Sequence, residues 1–439
     1  MYLFKDPRHK KINFSEFTPK NKEPKALYGL PNKVEFCATC VVSNQRPNST
    51  IEYLTNAKKE KKSTIAFNED NICDACKVSS LKEKVDWKIR RKELEKLCDQ
   101  HRSNNGDYDC IVPGSGGKDS FYASWMLKHE FGMHPLTITW APNLYTTWGK
   151  DNFYNWIDSG FDNQLYTPNI KTQRLLTRLA VENLFHPFQA FIIGQKMLAP
   201  TLSKQLNIPL VFYGESEAEY GNPQSEALKP VRKKNFHALK KQQDIYLGGM
   251  KLENICDTFS LSRNDFKMFI PQNNDAPDRT EIHYLGYYLK WHPQDVYYKV
   301  ASVSNFKNAQ QRNPGSYLMY DSIDDKIDDL HYYTTFIKFG IGRAVQDAAH
   351  QVRNKDITRA EGINLIKKFD GEFPCRFIPE LMEYLSLPEK EFPGVKGVFE
   401  QPIMDEEYFR ALSNNFRSPH LWEYKNDDWS LRKAIWHEK

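Results

Sequence analysis

Asp109-Cys110-Ile111-Val112-Pro113-Gly114-Ser115-Gly116-Gly117-Lys118-Asp119-Ser120, followed by Phe121-Tyr122-Ala123-Ser124-Trp125-Met126-Leu127, is the stretch that decides the fold. A short apolar run, a glycine-rich turn and a helical run follow one another, the order strand, turn, helix. Glycines let backbone N–H groups approach an anion closely, and the helix N-terminus adds a dipole that favours negative charge. Ser115 and Ser120 add hydroxyl donors. The segment from Pro113 through Gly114, Ser115, Gly116, Gly117, Lys118 and Asp119 to Ser120 is therefore expected to cradle a pyrophosphate. It is neither the longer P-loop that ends in Lys-Ser/Thr nor a G-x-G-x-x-G fingerprint. Asp119 puts a carboxylate beside phosphate, which makes physical sense only with a cation such as Mg²⁺ between them.

Outward from this loop the pattern alternates. Apolar runs at 108–112, 135–140, 164–166 and 209–213 are separated by helical stretches, and 281–288 reads as a fifth strand. This predicts an α/β fold, a doubly wound parallel sheet whose ligands bind beyond the carboxyl ends of the strands. The acidic stretch after the fourth strand, led by Glu215, would then face the same crevice, where Glu215 is a second candidate for Mg²⁺. Trp140 ends another strand and is the tryptophan best placed to stack on a base. Residues 324–369 read as two or three helices, the last opened by the capping box Thr358-Arg359-Ala360-Glu361. Lys338 and Arg343 are candidates to reach phosphate oxygens. Ordinary helix-end charges explain them as well, and Asp347, four residues after Arg343, would form an ion pair with it.

Upstream, Cys37-Ala38-Thr39-Cys40 and Cys73-Asp74-Ala75-Cys76 hold four of the eight cysteines. Two such pairs have the spacing of a four-cysteine structural Zn²⁺ site. A redox pair and an iron–sulfur cluster are the competing readings. Residues 81–101 read as a charged linking helix with Val85, Ile89, Leu94 and Leu97 at near-helical spacing. The first 34 residues carry eight Lys or Arg and read as a basic arm over the surface. The organisation expected is an arm at 1–34, a zinc ribbon at 35–79, a linker at 80–106, a nucleotide core at 107–320 and a helical region at 321–439.

A length of 439 residues suits two or three domains. The net charge of +5 is a thin electrostatic footprint, so no nucleic-acid partner is expected. No apolar run of about 18 residues occurs and the N-terminal stretch lacks an apolar signal core, so neither a membrane span nor a secretory signal is expected, and the chain reads as cytoplasmic. His186 and His283, set among apolar and aromatic residues, read as core or interface histidines rather than bases.

Ser115-Gly116-Gly117-Lys118-Asp119-Ser120 resembles the SGGxDS loop of the PP-loop ATP pyrophosphatases at all six positions. With the ribbon, Tyr213-Gly214-Glu215, Tyr287, Trp291 and Ile337-Lys338-Phe339-Gly340-Ile341-Gly342-Arg343-Ala344, the chain from the first cysteine pair to about Gly371 resembles the N-acetyl sugar amidotransferases. That resemblance implies a role in bacterial surface-polysaccharide or nonulosonic acid pathways. It implies conversion of a sugar N-acetyl group, free or on a nucleotide sugar, into an acetamidino group with ATP, the ammonia coming from a glutaminase partner. In this reading the catalytic group is Asp119, Ser120, Lys338 and Arg343. The tRNA thiolation enzymes resemble the chain in the same loop and in cysteine use. They would draw on Cys256 or Cys375, since Cys110 lies within a strand and Cys98 in the linker. A non-catalytic nucleotide-binding scaffold is the third class.

Overall fold

The computed structural model describes residues 2–18, 23–54, 63–214, 228–232, 245–270 and 279–438. Six strands make the central sheet: β1 (Cys110–Pro113), β2 (Pro135–Trp140), β3 (Asn163–Tyr166), β4 (Leu210–Tyr213), β5 (Val231–Arg232) and, after a hairpin of β6 (Tyr246–Leu247) and β7 (Met250–Lys251), β8 (Glu281–Tyr284). Their order is β3-β2-β1-β4-β8-β5. Every pairing from β3 to β8 is parallel, and only the edge strand β5 runs antiparallel. All six residues of β2 are buried, as are Cys110, Ile111 and Val112 of β1, because helices cover both faces of a parallel sheet. The doubly wound α/β class expected from the alternating pattern is the observed one.

The ribbon closes with α1 (Asp74–Lys82), and α2 (Trp87–His101) follows. These are two helices where the periodicity suggests one. Asp86 caps α2 by accepting from the backbone N–H groups of Lys88 and Ile89, which breaks the run next to Val85. The buried positions of α2 are Leu94 and Cys98, whereas Ile89 is exposed, so its inner face is rotated from the expected one. Next come α3 (Lys118–Trp125), α4 (Thr147–Asp158), α5 (Ile170–Leu184), α6 (Gln189–Leu206) and α7 (Leu252–Phe259). The expected strand at 281–288 stops at Tyr284. Its second half is the short helix α8 (Leu285–Tyr288), turned where the Gly286 N–H donates to the Gly214 carbonyl across the strand ends.

Beyond α9 (Pro293–Val303), the region expected to hold two or three helices holds α10 (Ile327–Phe339), α11 (Arg343–Asn354) and α12 (Arg359–Phe369), the last with the Thr358–Glu361 capping box formed. Helices α13 (Ile378–Leu385) and α14 (Glu406–Asn414) and the hairpin β9 (Trp422–Lys425) and β10 (Asp428–Leu431) complete the chain. The N-terminal residues do more than lie on the surface: Phe17, Tyr28, Leu30 and Val34 are buried in one apolar cluster with α10, α13 and α14. The ribbon shares its core with α11, where Cys37, Cys40, Cys73 and Cys76 pack with Ile341, Ala344, Val345 and Ala348. Among the described residues no helix is long and apolar enough to cross a membrane.

Candidate nucleotide-binding cleft and metal centre

The glycine-rich turn leaves the carboxyl end of β1 and enters α3. Two glycines are required by geometry. A Cβ on Gly114 would stand 2.0 Å from the Ser120 Cβ, and Gly116 has φ +88° with any Cβ 2.7 Å from the backbone of Phe153. Gly117 is the N-cap of α3. Its carbonyl accepts from the Phe121 N–H and from the Ser120 hydroxyl at 3.1 Å. The turn opens on a cavity of about 430 Å³ lined by Pro113, Gly114, Ser115, Gly117, Lys118, Asp119 and Ser120. Tyr213, Gly214 and Tyr284, at the ends of β4 and β8, line it too, which is where a doubly wound sheet keeps its ligands. Glu215 lies outside the described residues.

Facing the loop is a wall that carries no motif: Tyr320, Asp321, Ser322, Ile323 and Asp324. Asp321 organises it. Its carboxylate pairs with the buried Lys118 Nζ at 2.7 Å, and that ammonium also holds Asp119 at 2.8 Å. On its other side Asp321 faces Arg343 at 3.7 Å, while Arg343 makes the i,i+4 pair with Asp347 at 2.7 Å. Burial pushes the Asp321 carboxyl up, yet Lys118 and Arg343 together bring it below the ordinary carboxylate value. Asp119 moves the other way, raised chiefly by loss of solvent and only partly offset by Lys118. Lys118, Asp119, Asp321 and Arg343 also line an adjoining cavity of about 140 Å³ against α11.

This network makes a stability prediction. Asp321→Ala removes a carboxylate held between two cations, the Lys118 ammonium, only 3% exposed, at 2.7 Å and Arg343 at 3.7 Å, and breaking a buried pair on one side is costly. Urea denaturation is expected to show a loss of about 3 kcal/mol. A change below about 0.5 kcal/mol would show that the network is held elsewhere.

Lys338 and Trp140 stand apart from the loop. Lys338, 1% exposed, donates to both carboxylate oxygens of Glu52 at 2.9 and 2.8 Å and to the Leu184 carbonyl at 2.7 Å. It lines a different cavity of about 310 Å³. Trp140 does not line the loop cavity. Its ring packs on Tyr166 and Phe269 and lies so close over Gly194 of α6 that a Cβ there would meet it at 2.2 Å, which makes Trp140 a core residue of the sheet–helix layer. His283 is also a core residue, its Nδ1 sharing a hydrogen bond with the Tyr288 hydroxyl at 2.7 Å. His186 stacks on His331 with ring centroids 5.1 Å apart in the same cavity as Lys338.

The four paired cysteines converge, all four sulfurs lying within 4.8 Å of one another and all buried. The Cys37–Cys76 and Cys40–Cys73 sulfurs are 3.8 and 3.7 Å apart. The edge of a tetrahedron with metal–sulfur bonds of about 2.3 Å is about 3.8 Å, so these four residues fit one mononuclear ion. A four-iron cluster spreads its cysteines over separate irons and needs a wider set. Hydrogen bonds from neighbouring thiols, that of Cys40 first, hold Cys37 far below the usual thiol range. Arg353 lies 3.9 Å from the Cys40 sulfur, and Arg359 donates to the Cys40 and Cys37 carbonyls at 2.9 and 3.2 Å. These contacts bind the ribbon to α11 and α12.

Residues 302–435, which contain the wall facing the loop, match the family described as LPS biosynthesis protein WbpG-like, C-terminal domain. The uncharacterized protein MJ1599 of Methanocaldococcus jannaschii is 34% identical over 77 residues, a match that takes in 18% of this chain and 27% of that protein's length. Among solved structures, the U34-tRNA thiolase NcsA from Methanococcus maripaludis with its [4Fe-4S] cluster aligns over 72% of this chain and 90% of its own, at 10% identity and a TM-score of 0.29, a likeness too loose to carry an argument. The WbpG-like domain agrees with the resemblance to the N-acetyl sugar amidotransferases carried by the motifs.

Proposed function

We propose that this chain, which joins a PP-loop domain to a WbpG-like domain, is an ATP-dependent amidotransferase of bacterial surface-glycan biosynthesis. It would convert a sugar N-acetyl group into an acetamidino group. The observation that supports this best is the complete SGGKDS loop at the end of β1, opposed across one cavity by Asp321 of the WbpG-like domain. In the first step the amide oxygen attacks the α-phosphorus, the α–β bridge breaks and pyrophosphate leaves. An amide oxygen leaves poorly and an adenylate leaves well. Ammonia then adds to the O-adenylyl imidate carbon and the carbon–oxygen bond breaks, so AMP departs with the former carbonyl oxygen. The loop's N–H groups and the α3 dipole bind the pyrophosphate as its charge develops. Lys118 and Arg343 hold Asp321 in place beside it. Asp119 and Asp321, both lining the cavity, are suited to Mg²⁺, which when bound neutralises triphosphate charge; Glu215 is the further candidate.

The ribbon belongs to this reading as a structural Zn²⁺ site of Cys37, Cys40, Cys73 and Cys76. A glutaminase subunit as ammonia source and a cytoplasmic location complete it. Thiolation is the second reading. Against it, no cysteine is among the described residues that line the loop cavity, while Cys256 is half-buried elsewhere and Cys375 is exposed.

Incubation with ATP, an ammonium salt and a panel of acetamido sugars decides among the three classes. AMP and a product about one mass unit lighter are expected, because oxygen is exchanged for NH. Oxygen-18 placed in the acetyl group should appear in AMP. Replacing both Cys256 and Cys375 by Ser should leave turnover within about twofold of wild type, since ammonia attack needs no persulfide carrier. Collapse of turnover in a folded double variant would favour thiolation, and absence of AMP with every sugar would overturn amidation and leave the other two classes.

A further inference from the structure

The cavity that holds Lys338 is separate from the loop cavity yet continuous with its wall: Ser49, Gln195 and Lys196 line both. From these paired compartments we infer that the second cavity is the acceptor subsite, which takes the acetamido sugar while the loop cavity takes the nucleotide. This rests on the function proposed above and adds to it the place and the recognising residues.

The volume of about 310 Å³ lies at the lower end of small-molecule sites and suits a monosaccharide better than a nucleoside triphosphate. Among the described lining residues the buried cation Lys338 is paired with Glu52, and the half-buried Lys196, on the shared wall, donates to the Ser49 carbonyl at 3.4 Å. Away from the Lys196 side, what the cavity offers a ligand is short-range hydrogen bonding and flat rings: the stacked His186 and His331, Thr335, Asn48, Thr50 and the face of Phe185. Hydroxyls around a pyranose ring meet such groups, and the ring's C–H face and acetamido methyl meet the aromatic and aliphatic lining. The shared wall gives direction, since among the described residues Ser49, Gln195 and Lys196 are where the two cavities meet and an amide oxygen would pass toward the nucleotide on that side.

Lys338 gains a role here that differs from phosphate binding. It ties the Leu184 carbonyl to Glu52, and so holds two walls of the cavity together. At that point Phe185 adopts the left-handed φ of 49°, a conformation a bulky residue keeps only where its surroundings enforce it. The bend carries the chain from α5 into His186. The ribbon segment 47–52 forms the opposite wall, with the Glu52 carbonyl accepting from Gln189 of α6.

The test is saturation-transfer NMR without ATP, using N-acetylglucosamine and UDP-N-acetylglucosamine as separate probes, on wild type, His331→Ala and Thr335→Leu. ATP affinity and melting are measured in parallel. Binding of at least one probe to wild type is expected, weakened at least about tenfold in each variant while ATP affinity stays within about twofold. Thr335→Leu fills space without removing an imidazole, so it tests the cavity even where His331→Ala perturbs folding. Binding that neither variant weakens, an equal loss of ATP affinity, or no binding of either probe to wild type at millimolar concentration would each overturn the assignment. If a probe binds, the variants weaken it and no AMP forms with ammonium, the subsite stands and the amidation chemistry fails.

Discussion

Asp119→Asn is expected to slow pyrophosphate release at least about a hundredfold while the melting temperature barely moves. The substitution keeps the shape of the side chain and removes its charge. Asp119 sits in the first turn of α3 at the mouth of the loop, one-third exposed to the cavity, with both carboxylate oxygens on the Lys118 ammonium at 2.9 and 2.8 Å. Lys118 retains Asp321 at 2.7 Å after the change, so its buried charge is not orphaned and the fold keeps its pairing. A stability change within about 1 kcal/mol is expected for a partly exposed pair of this kind. The rate is another matter. In the proposed reaction the loop would still offer backbone N–H groups and a helix dipole to phosphate without Asp119, but the position of a divalent ion against the triphosphate would depend on an anionic oxygen there. ATP affinity in the absence of the cation should change little, and turnover should not recover with added Mg²⁺. Near-wild-type pyrophosphate release would remove Asp119 from the mechanism.

What could be read in advance follows from how local each signal is. β2 announces itself because a strand buried on both faces must be apolar throughout, and the loop does so because Gly114 and Gly116 have no room for a Cβ. The two CxxC pairs carry their geometry in their spacing. The wall opposite the loop was not legible: Asp321 is about 200 residues away from Lys118 in the chain, in a segment with no motif, and only folding sets them 2.7 Å apart. The surroundings of Lys338 are hidden for the same reason, since its partner Glu52 is 286 residues distant and nothing near Lys338 announces it. Trp140 stands at a strand end as its position suggests, but the absence of a side chain on Gly194 lets its ring fold over α6 rather than into the loop cavity. Glu215 lies outside the described residues and keeps its standing as a candidate.

Cys37→Ser is expected to lose the bound metal and, with it, far more than the ribbon. Purified wild type should carry one zinc per chain without acid-labile sulfide, because four sulfurs within 4.8 Å fit the edge of a single tetrahedral ion. Three thiolates and a hydroxyl hold zinc poorly, and metal affinity is folding free energy wherever ligands do not preassemble. In isolated zinc peptides that contribution reaches about 10 kcal/mol or more. Here part of it is shared with packing, since Cys37, Cys40, Cys73 and Cys76 lie in one cluster with Ile341, Ala344 and Val345, so a loss of at least about 3 kcal/mol is expected in calorimetric or urea melting. The damage should also reach the reaction. The same ribbon supplies Ser49 to the loop cavity and Glu52 to the Lys338 pair, so loosening it moves a wall common to both compartments. Below its melting temperature the variant should therefore show a raised KM for the sugar as well as a lowered kcat. Iron with sulfide in wild type, or a metal-free wild type that melts normally, would overturn the zinc assignment. A variant that loses zinc yet keeps wild-type KM would separate the ribbon from the site.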